Sequence, residues 1–129
     1  MTGSTPFSIE ESEFFKRWLR KLVKASGKIL AKKLITLLTA SLDDLLDNPY
    51  PRNSRREPLP GKIKLPDDWT FYKLEFRLAK GASGQIRLMY LVNEPEKLIK
   101  PLWIYSHEQF AKRPRDRNIA DAIEEIIGL

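Results

Sequence analysis

Two alternating runs of apolar and charged residues, on either side of a short turn, constrain most strongly how this chain can fold. The first run, at 71–78, reads FYKLEFRL, and the second run, at 85–92, reads QIRLMYLV. Successive side chains of a β-strand point to opposite faces, so each run predicts a strand with one apolar face. The segment AKGASG between them contains two glycines. It predicts the turn of a β-hairpin.

The alternation assigns the side chains of this hairpin to two faces. The apolar face is predicted to carry Tyr72, Leu74, Phe76, Leu78, Ile86, Leu88, Tyr90 and Val92. The opposite face carries Lys73, Glu75 and Arg77 from the first strand, and Arg87 from the second. A sheet that buries one face and exposes cations on the other can bind an anion. A polyanion such as RNA is the main candidate.

Two amphipathic helices are predicted before the hairpin. Ser12 is a suitable N-cap, because its hydroxyl can accept from the free amides of the first turn. Apolar residues then recur at spacings of one, three and four, as on one helical face: Phe14, Phe15, Trp18, Leu19, Leu22 and Val23. Gly27 can end this helix by taking the left-handed cap conformation. A leucine stripe predicts a second helix over 28–46, and the short joint favours an antiparallel pair.

The remaining segments give a short strand, a basic break, a third long strand and a terminal helix. Residues 7–10 can form the short strand. Residues 48–68 contain five prolines and several cations, so they form either a functional loop or a mobile linker, with a strand fragment at 61–65. A strand is expected over 98–106, and because Pro101 cannot donate to the ladder, its paired part either starts after Pro101 or bulges there. An isoleucine stripe predicts a helix over 117–129, capped by Asn118 or Asp116.

This order of elements predicts an α+β fold in a single domain, 1–129. Helices grouped before an antiparallel meander pack on one face of the sheet. The isoleucine stripe of the last helix must also cover an apolar surface.

The composition limits the chemistry available to the chain. There are 23 Lys and Arg residues against 17 Asp and Glu, a net charge of +6. This excess suits a nucleic acid or an acidic protein, although a soluble basic protein with neither partner has the same composition. Cysteine is absent and there is one histidine. Disulfides and thiolate catalysis are excluded, and we expect no metal or other cofactor.

The sequence also carries no sign of a membrane or export signal. No apolar stretch approaches the roughly 20 residues of a membrane-spanning helix. Residues 1–6 are interpreted as a leader without an apolar signal core. A cytoplasmic location is therefore expected.

Three segments, taken in order behind a helix pair, resemble the RelE/ParE superfamily of toxins from type II toxin–antitoxin systems. Tyr72-Lys73-Leu74-Glu75-Phe76-Arg77 is similar to one strand motif of the family, and Gly84-Gln85-Ile86-Arg87-Leu88-Met89-Tyr90 is similar to the next. Residues 104–110 resemble the end of the last strand, where many members carry Lys or His. The likeness spans about 7–110.

The resemblance implies a RelE-like fold: a two-helix hairpin packed on a twisted antiparallel sheet of about four strands, here followed by a C-terminal helix. It implies either of two activities, cleavage of mRNA on the ribosome without a metal, or inhibition of DNA gyrase without nuclease activity. It also implies an acidic antitoxin as partner. The oligomeric state stays open.

The resemblance also implies candidate site residues. Lys73 aligns with a lysine that acts in cleavage, Arg87 with the phosphate-binding arginine, and His107 lies where a general base or acid is expected. The nucleic-acid-binding candidates are cations on the same face, in the basic loop and after the last strand: Arg77, Arg55, Arg56 and Lys112.

Each candidate also has a simpler structural role. Arg87 can pair with Glu75, His107 can be an ordinary polar residue at a strand end, and Tyr90 is expected to belong to the core. Glu75 stands where RelE-like sites have a second lysine, and Phe110 cannot replace the C-terminal tyrosine of the family. On this reasoning Glu75→Lys would preserve or raise activity. A non-enzymatic gyrase inhibitor, or a degenerate antitoxin-binding member, is therefore the alternative to the nuclease.

Overall fold

Two helices and five strands form an α+β fold. The computed structural model describes residues 6–61 and 63–129, so the predicted leader lies outside it except for Pro6. The elements are β1 (Ser8–Ile9), α1 (Glu13–Asp47), β2 (Ser54–Arg56), β3 (Trp69–Arg77), β4 (Gln85–Asn93), β5 (Leu98–Ser106) and α2 (Asp116–Ile127). No helix in this described part is long and apolar enough to cross a membrane.

Helix α1 is a hairpin of two helical halves, as the sequence predicts. The Ser12 hydroxyl caps it by accepting from the Phe15 amide at 3.0 Å. Gly27 interrupts it with φ 80° and ψ 165°, a backbone conformation outside the helical region. Leu19 of the first half and Ile35 of the second line one open groove, so the halves lie side by side. The predicted helix pair and its joint at Gly27 are confirmed, but the predicted left-handed cap is wrong, because the ψ of Gly27 is extended.

The strands form one sheet in the order β1-β5-β4-β3-β2. All neighbours are antiparallel except β1 and β5, which pair in parallel through two residues each. In β5 the register shifts so that Met89 faces Trp103 while Tyr90 faces Pro101. Leu102 is the extra residue, so of the two alternatives predicted at Pro101 the bulge is confirmed.

The prediction of about four strands missed β2, which lies inside the proline-rich break. Its pairing with β3 is extended by hydrogen bonds from the Glu75 amide to the Asn53 carbonyl and from the Glu57 amide to the Phe71 carbonyl. These bonds satisfy polar backbone groups along the edge of β3. The strand fragment predicted at 61–65 is wrong for residues 61 and 63–65, which form no strand; residue 62 lies outside the described residues. Ile63 and Leu65 instead pack against an apolar cluster.

The main core lies between α1 and the predicted apolar face of the sheet. Leu34 and Leu38 of α1 pack with Leu74, Ile86 and Leu88 in one buried cluster. Tyr90 is also fully buried there, which confirms its predicted core role. Tyr72 and Phe76 contact the same cluster but are only partly buried.

A second apolar cluster covers one end of the opposite face of the sheet. The isoleucine stripe of α2 packs on Met89, Leu91 and Trp103, so the apolar surface that the terminal helix covers is its own sheet. Its predicted cap is wrong: the helix begins after Arg115 without a side-chain hydrogen bond, and ends at Gly128 with a φ of 81°. Phe14 was expected in the main core, but it meets Trp103 edge-on at 4.9 Å in this second cluster.

Candidate functional site

The other end of this second face is polar and carries a cross-strand row of functional side chains. Glu75 of β3 faces Arg87 of β4, and Arg87 faces Tyr105 of β5. Residues directly opposite in antiparallel strands share a face and bring their side chains into contact range. His107 follows β5, and its amide donates to the Gln85 carbonyl at 2.9 Å. The sheet register therefore holds these four side chains together.

Arg87 is the centre of this row. Its Nε donates to Glu75 Oε1 at 3.2 Å, and its Nη1 lies 2.8 Å from His107 Nδ1. Only 14% of the Arg87 side chain is exposed. A guanidinium has five N–H groups, so donors remain for a ligand after these two contacts. Arg87 also lines a small open cavity of about 220 Å³ with Glu75, Arg77 and Gln85.

Lys73 lies on the same face but is held by a different carboxylate. Its Nζ is 3.5 Å from Glu57 Oε1, and Arg113 Nη1 is 3.0 Å from Glu57 Oε2. Arg113 also donates to the Pro58 carbonyl and to Asp116. Glu57 is 5% exposed in its side chain, so one buried carboxylate bridges two cations. The structure thus brings Arg87 and His107 together, while Lys73 belongs to a neighbouring ion-pair cluster.

Tyr105 lies beside Arg87 in the same cross-strand row, although it was not among the predicted site residues. It is fully buried, and its hydroxyl makes no hydrogen bond within the described residues. Burial raises the pKa of its phenol, and the Glu57 carboxylate raises it further. Phe110 packs edge-on against the ring at 5.5 Å, so the segment after β5 covers one side of this ring.

The four predicted nucleic-acid-binding cations occupy different positions. Arg77 is exposed beside the Arg87 cavity, and Arg55 faces Lys73 across the strand pair and shares its side of the sheet. Arg56 does not join them, because it lies over the Tyr72 ring at 5.7 Å, on the α1 side. Lys112 is exposed in the segment between β5 and α2.

A further group of cations lies along α1, on both sides of the Gly27 corner. Residues 14–42 contain no Asp or Glu, and their cations are Lys16, Arg17, Arg20, Lys21, Lys24, Lys28, Lys32 and Lys33. A cleft of about 300 Å³ connects this corner with the site end of the sheet, since Ser26 and Leu30 line it together with Ser83 and Ser106. Glu108 also lines this cleft, so a carboxylate lies between the corner and the candidate site.

This arrangement suits the recognition and reaction of a phosphate group. Arg87 presents a planar, permanently charged donor, and His107 lies in contact with it. Among residues 6–61 and 63–129, no cluster of three or more histidine, cysteine, aspartate or glutamate side chains is placed to hold a metal ion.

Comparison with known proteins identifies the fold. No protein-family model matches the sequence, and no curated protein matches it. Among solved structures, the chain is similar to a mutant of the E. coli toxin RelE in the free state, with a TM-score of 0.51 and 16% sequence identity over 90% of this chain and 95% of that chain.

Two further structures show weaker similarity. The archaeal RelE–RelB complex from Pyrococcus horikoshii gives a TM-score of 0.49 and 19% identity over 78% of this chain and 94% of that chain. A metal-bound toxin from Helicobacter pylori gives a TM-score of 0.45 and 22% identity over 81% of this chain and 98% of that chain. The E. coli match, together with the α1 hairpin and the sheet order, confirms the predicted fold: this chain has the RelE-like fold.

Proposed function

We propose that this chain is the toxin of a type II toxin–antitoxin pair and that it cleaves mRNA on the ribosome without a metal ion. The RelE-like fold and the motifs of β3 and β4 support this proposal. The observation that carries it is the contact between Arg87 and His107 on the open end of the sheet. A phosphate-binding cation beside an imidazole suits RNA cleavage by the neighbouring 2′-oxygen, because both groups can stabilise the charge that develops.

The proposed reaction places the scissile phosphate against Arg87. The 2′-oxygen attacks phosphorus, the bond from phosphorus to the 5′-oxygen breaks, and a 2′,3′-cyclic phosphate forms. Negative charge grows on the phosphoryl oxygens and on the leaving oxygen, and fixed cations stabilise it. The remaining donors of Arg87 fit two phosphoryl oxygens at once. Arg77, exposed beside the same cavity, supplies further positive charge.

Lys73 can bind the substrate phosphate only when its ammonium group is released from Glu57. Glu57 holds it in the free protein, so a substrate phosphate must compete with that carboxylate for the ammonium group. The cations at the Gly27 corner of α1 lie outside the reacting centre and suit the phosphate backbone of a longer RNA.

Induced expression tests the activity. Growth should stop, and mapping of mRNA 5′ ends should show cuts that depend on translating ribosomes. Arg87→Ala should reduce cleavage about 10²-fold or more, as for other single electrostatic contributors to a transition state. Lys97→Ala is a suitable control, because Lys97 lies in the β4–β5 turn at the opposite end of β4. Intact mRNA under growth arrest would refute the nuclease proposal.

A second candidate function is a non-enzymatic toxin, of the gyrase-inhibiting kind, or a degenerate member that only binds its antitoxin. Two carboxylates favour this candidate, because Glu75 contacts Arg87 and Glu57 contacts Lys73, so each cation already has an anionic partner. Phe110, which supplies no hydroxyl, packs on Tyr105 instead. Inhibition of DNA supercoiling by purified gyrase, with mRNA intact, would support the gyrase reading.

The proposed partner is a small acidic antitoxin. The net charge of +6 and the acid-free stretch of α1 favour an anionic partner. Association should slow as salt concentration rises, because steering between opposite charges is screened. Co-purification with the product of a neighbouring reading frame, followed by association kinetics at several salt concentrations, tests the partner and its charge dependence.

A further inference from the structure

The contact between Arg87 and His107 determines which nitrogen of the imidazole carries the proton. A guanidinium remains protonated in proteins and has no acceptor, so its Nη1 can only donate. His107 Nδ1, at 2.8 Å, must therefore accept. The ring is then neutral and its proton is on Nε2. In this state His107 has no free lone pair with which to act as a base.

The Glu75 carboxylate fixes the position of the Arg87 guanidinium. Its Oε1 accepts from Arg87 Nε at 3.2 Å, on the side of the guanidinium away from the His107 contact. The two residues face each other directly across β3 and β4. Arg87 is thus held through two of its three nitrogens, with a side chain only 14% exposed, whereas Glu75 is 44% exposed. The carboxylate serves as an anchor at the rim of the site.

We infer that Glu75 is a positioning residue: it holds Arg87 against His107 Nδ1, and so fixes His107 as a neutral hydrogen-bond donor through Nε2–H. In the proposed cleavage, this donor stabilises charge on the phosphate or on the leaving 5′-oxygen. The 2′-hydroxyl proton passes to solvent, and the 5′-oxygen takes a proton from solvent. A neutral imidazole acting as a donor has precedent in other enzymes. The catalytic part of the inference rests on the proposed function, whereas the tautomer does not.

This inference reverses the expectation for Glu75→Lys. Comparison with the family motif suggested that a lysine at this position would restore a missing cation. In the structure it would place an ammonium group beside the Arg87 guanidinium and remove the acceptor of its Nε. Arg87 would lose its anchor, and the His107 contact would be lost with it.

The first experiment needs no activity. His107 is the only histidine, so selective nitrogen-15 labelling of histidine and arginine gives one ring to follow by NMR. The native protein should show a proton on Nε2 and a through-hydrogen-bond coupling between Arg87 Nη and His107 Nδ1. Glu75→Gln keeps a neutral acceptor and should retain a weakened coupling. Glu75→Ala and Glu75→Lys should lose it, whereas Glu96→Gln, in the exposed β4–β5 turn, should not.

Two results of this experiment would overturn the inference: a proton on Nδ1 in the native protein, or a coupling that persists in Glu75→Ala. Amide spectra of each variant establish that it is folded. Because Glu75 is at the rim and half-exposed, its variants should retain native chemical-shift dispersion. Should Glu75→Ala fail to fold, Glu75→Gln still decides the question, since an unchanged coupling in that variant would also contradict the anchoring role.

The second experiment measures cleavage kinetics on ribosomes. Glu75→Ala should lower kcat about 10- to 100-fold with little change in KM, as expected for a misplaced catalytic group. His107→Gln retains a donor near the Nε2 position but cannot take up a proton, and should stay within about tenfold of the native rate, whereas His107→Ala should lose about 10²-fold. Equal losses in both His107 variants would show that His107 acts as a base. If the native protein cleaves no RNA, the proposed function fails, and the NMR result alone decides the tautomer.

Discussion

Tyr90 and Tyr105 provide a matched test of how the fold treats a buried hydroxyl. Both side chains are fully buried. Tyr90 donates to the Pro49 carbonyl at 2.7 Å, whereas the Tyr105 hydroxyl has no partner within the described residues. Replacement by phenylalanine keeps each ring and its aromatic contacts. The comparison therefore isolates the contribution of a single oxygen atom.

The two substitutions should change stability in opposite directions. Tyr90→Phe leaves the Pro49 carbonyl without its hydrogen bond, which should cost about 1–3 kcal/mol. Tyr105→Phe removes a hydroxyl that folding desolvates without compensation, so it should be neutral or stabilise by about 1 kcal/mol. The variants should then differ by about 1–4 kcal/mol, or roughly 3–20 °C in Tm at about 3–5 °C per kcal/mol for a domain of this size.

Urea unfolding of the native protein and both variants tests this prediction. The midpoint should move while the m-value stays constant, since neither change alters the surface exposed on unfolding. A Tyr105→Phe variant that loses as much stability as Tyr90→Phe would refute the reasoning, because it would show that the Tyr105 hydroxyl has a partner in solution. A gain in stability accompanied by a loss of RNA cleavage would instead assign that hydroxyl to the function.

Three other predictions follow from the core, the ion pairs and the buried phenols. Burial raises the pKa of Tyr90 from 10.0 to about 12. The unfolded chain therefore loses the Tyr90 proton at a lower pH than the folded chain. The contribution of Tyr90 to the free energy of unfolding should be full below pH 10 and should fall as the pH rises towards 12. Urea midpoints measured across that range should fall less steeply for Tyr90→Phe than for the native protein. Glu57→Ala should cost about 2–4 kcal/mol, because it leaves Lys73 and Arg113 without their shared carboxylate, and a loss below about 0.5 kcal/mol would show that water replaces it. Leu74→Ala, at a position 1% exposed, should cost about 2–5 kcal/mol in thermal or urea unfolding, whereas Leu59→Ala, at 39% exposure, should cost under 1 kcal/mol.

Periodicity was sufficient to predict the elements that bury a continuous apolar face. The hairpin, the α1 pair and β5 have such faces, and the structure confirms them. β2 has no comparable pattern, since only three residues pair and two of them are arginines. Its position depends on the edge of β3, which exists only in the folded sheet. The helical stripe also does not show which of its residues meet which face of the sheet, and Phe14 packs in the cluster on the opposite face.

In the candidate site, only the residues whose face of the sheet follows from strand alternation could be predicted from the residues themselves. Parity placed Lys73, Glu75 and Arg87 on one face, and the resemblance added His107. Glu57 and Arg113 could not be found in this way, because 56 residues separate them in the chain and their contact is purely tertiary. The double contact of Arg87 depends on side-chain rotamers, about which a strand pattern contains no information.

The break at Gly27 gives α1 a second possible shape. No side chain blocks this position, since a Cβ at Gly27 would meet nothing within 4 Å. The bend is therefore kept by the backbone torsion and by the packing of the two halves. A residue that prefers helical torsions at this position would favour a straight rod of 35 residues, about 52 Å long at 1.5 Å per residue. If the second half left its own sheet, it could cover the sheet of another copy, which is the arrangement of a domain-swapped dimer.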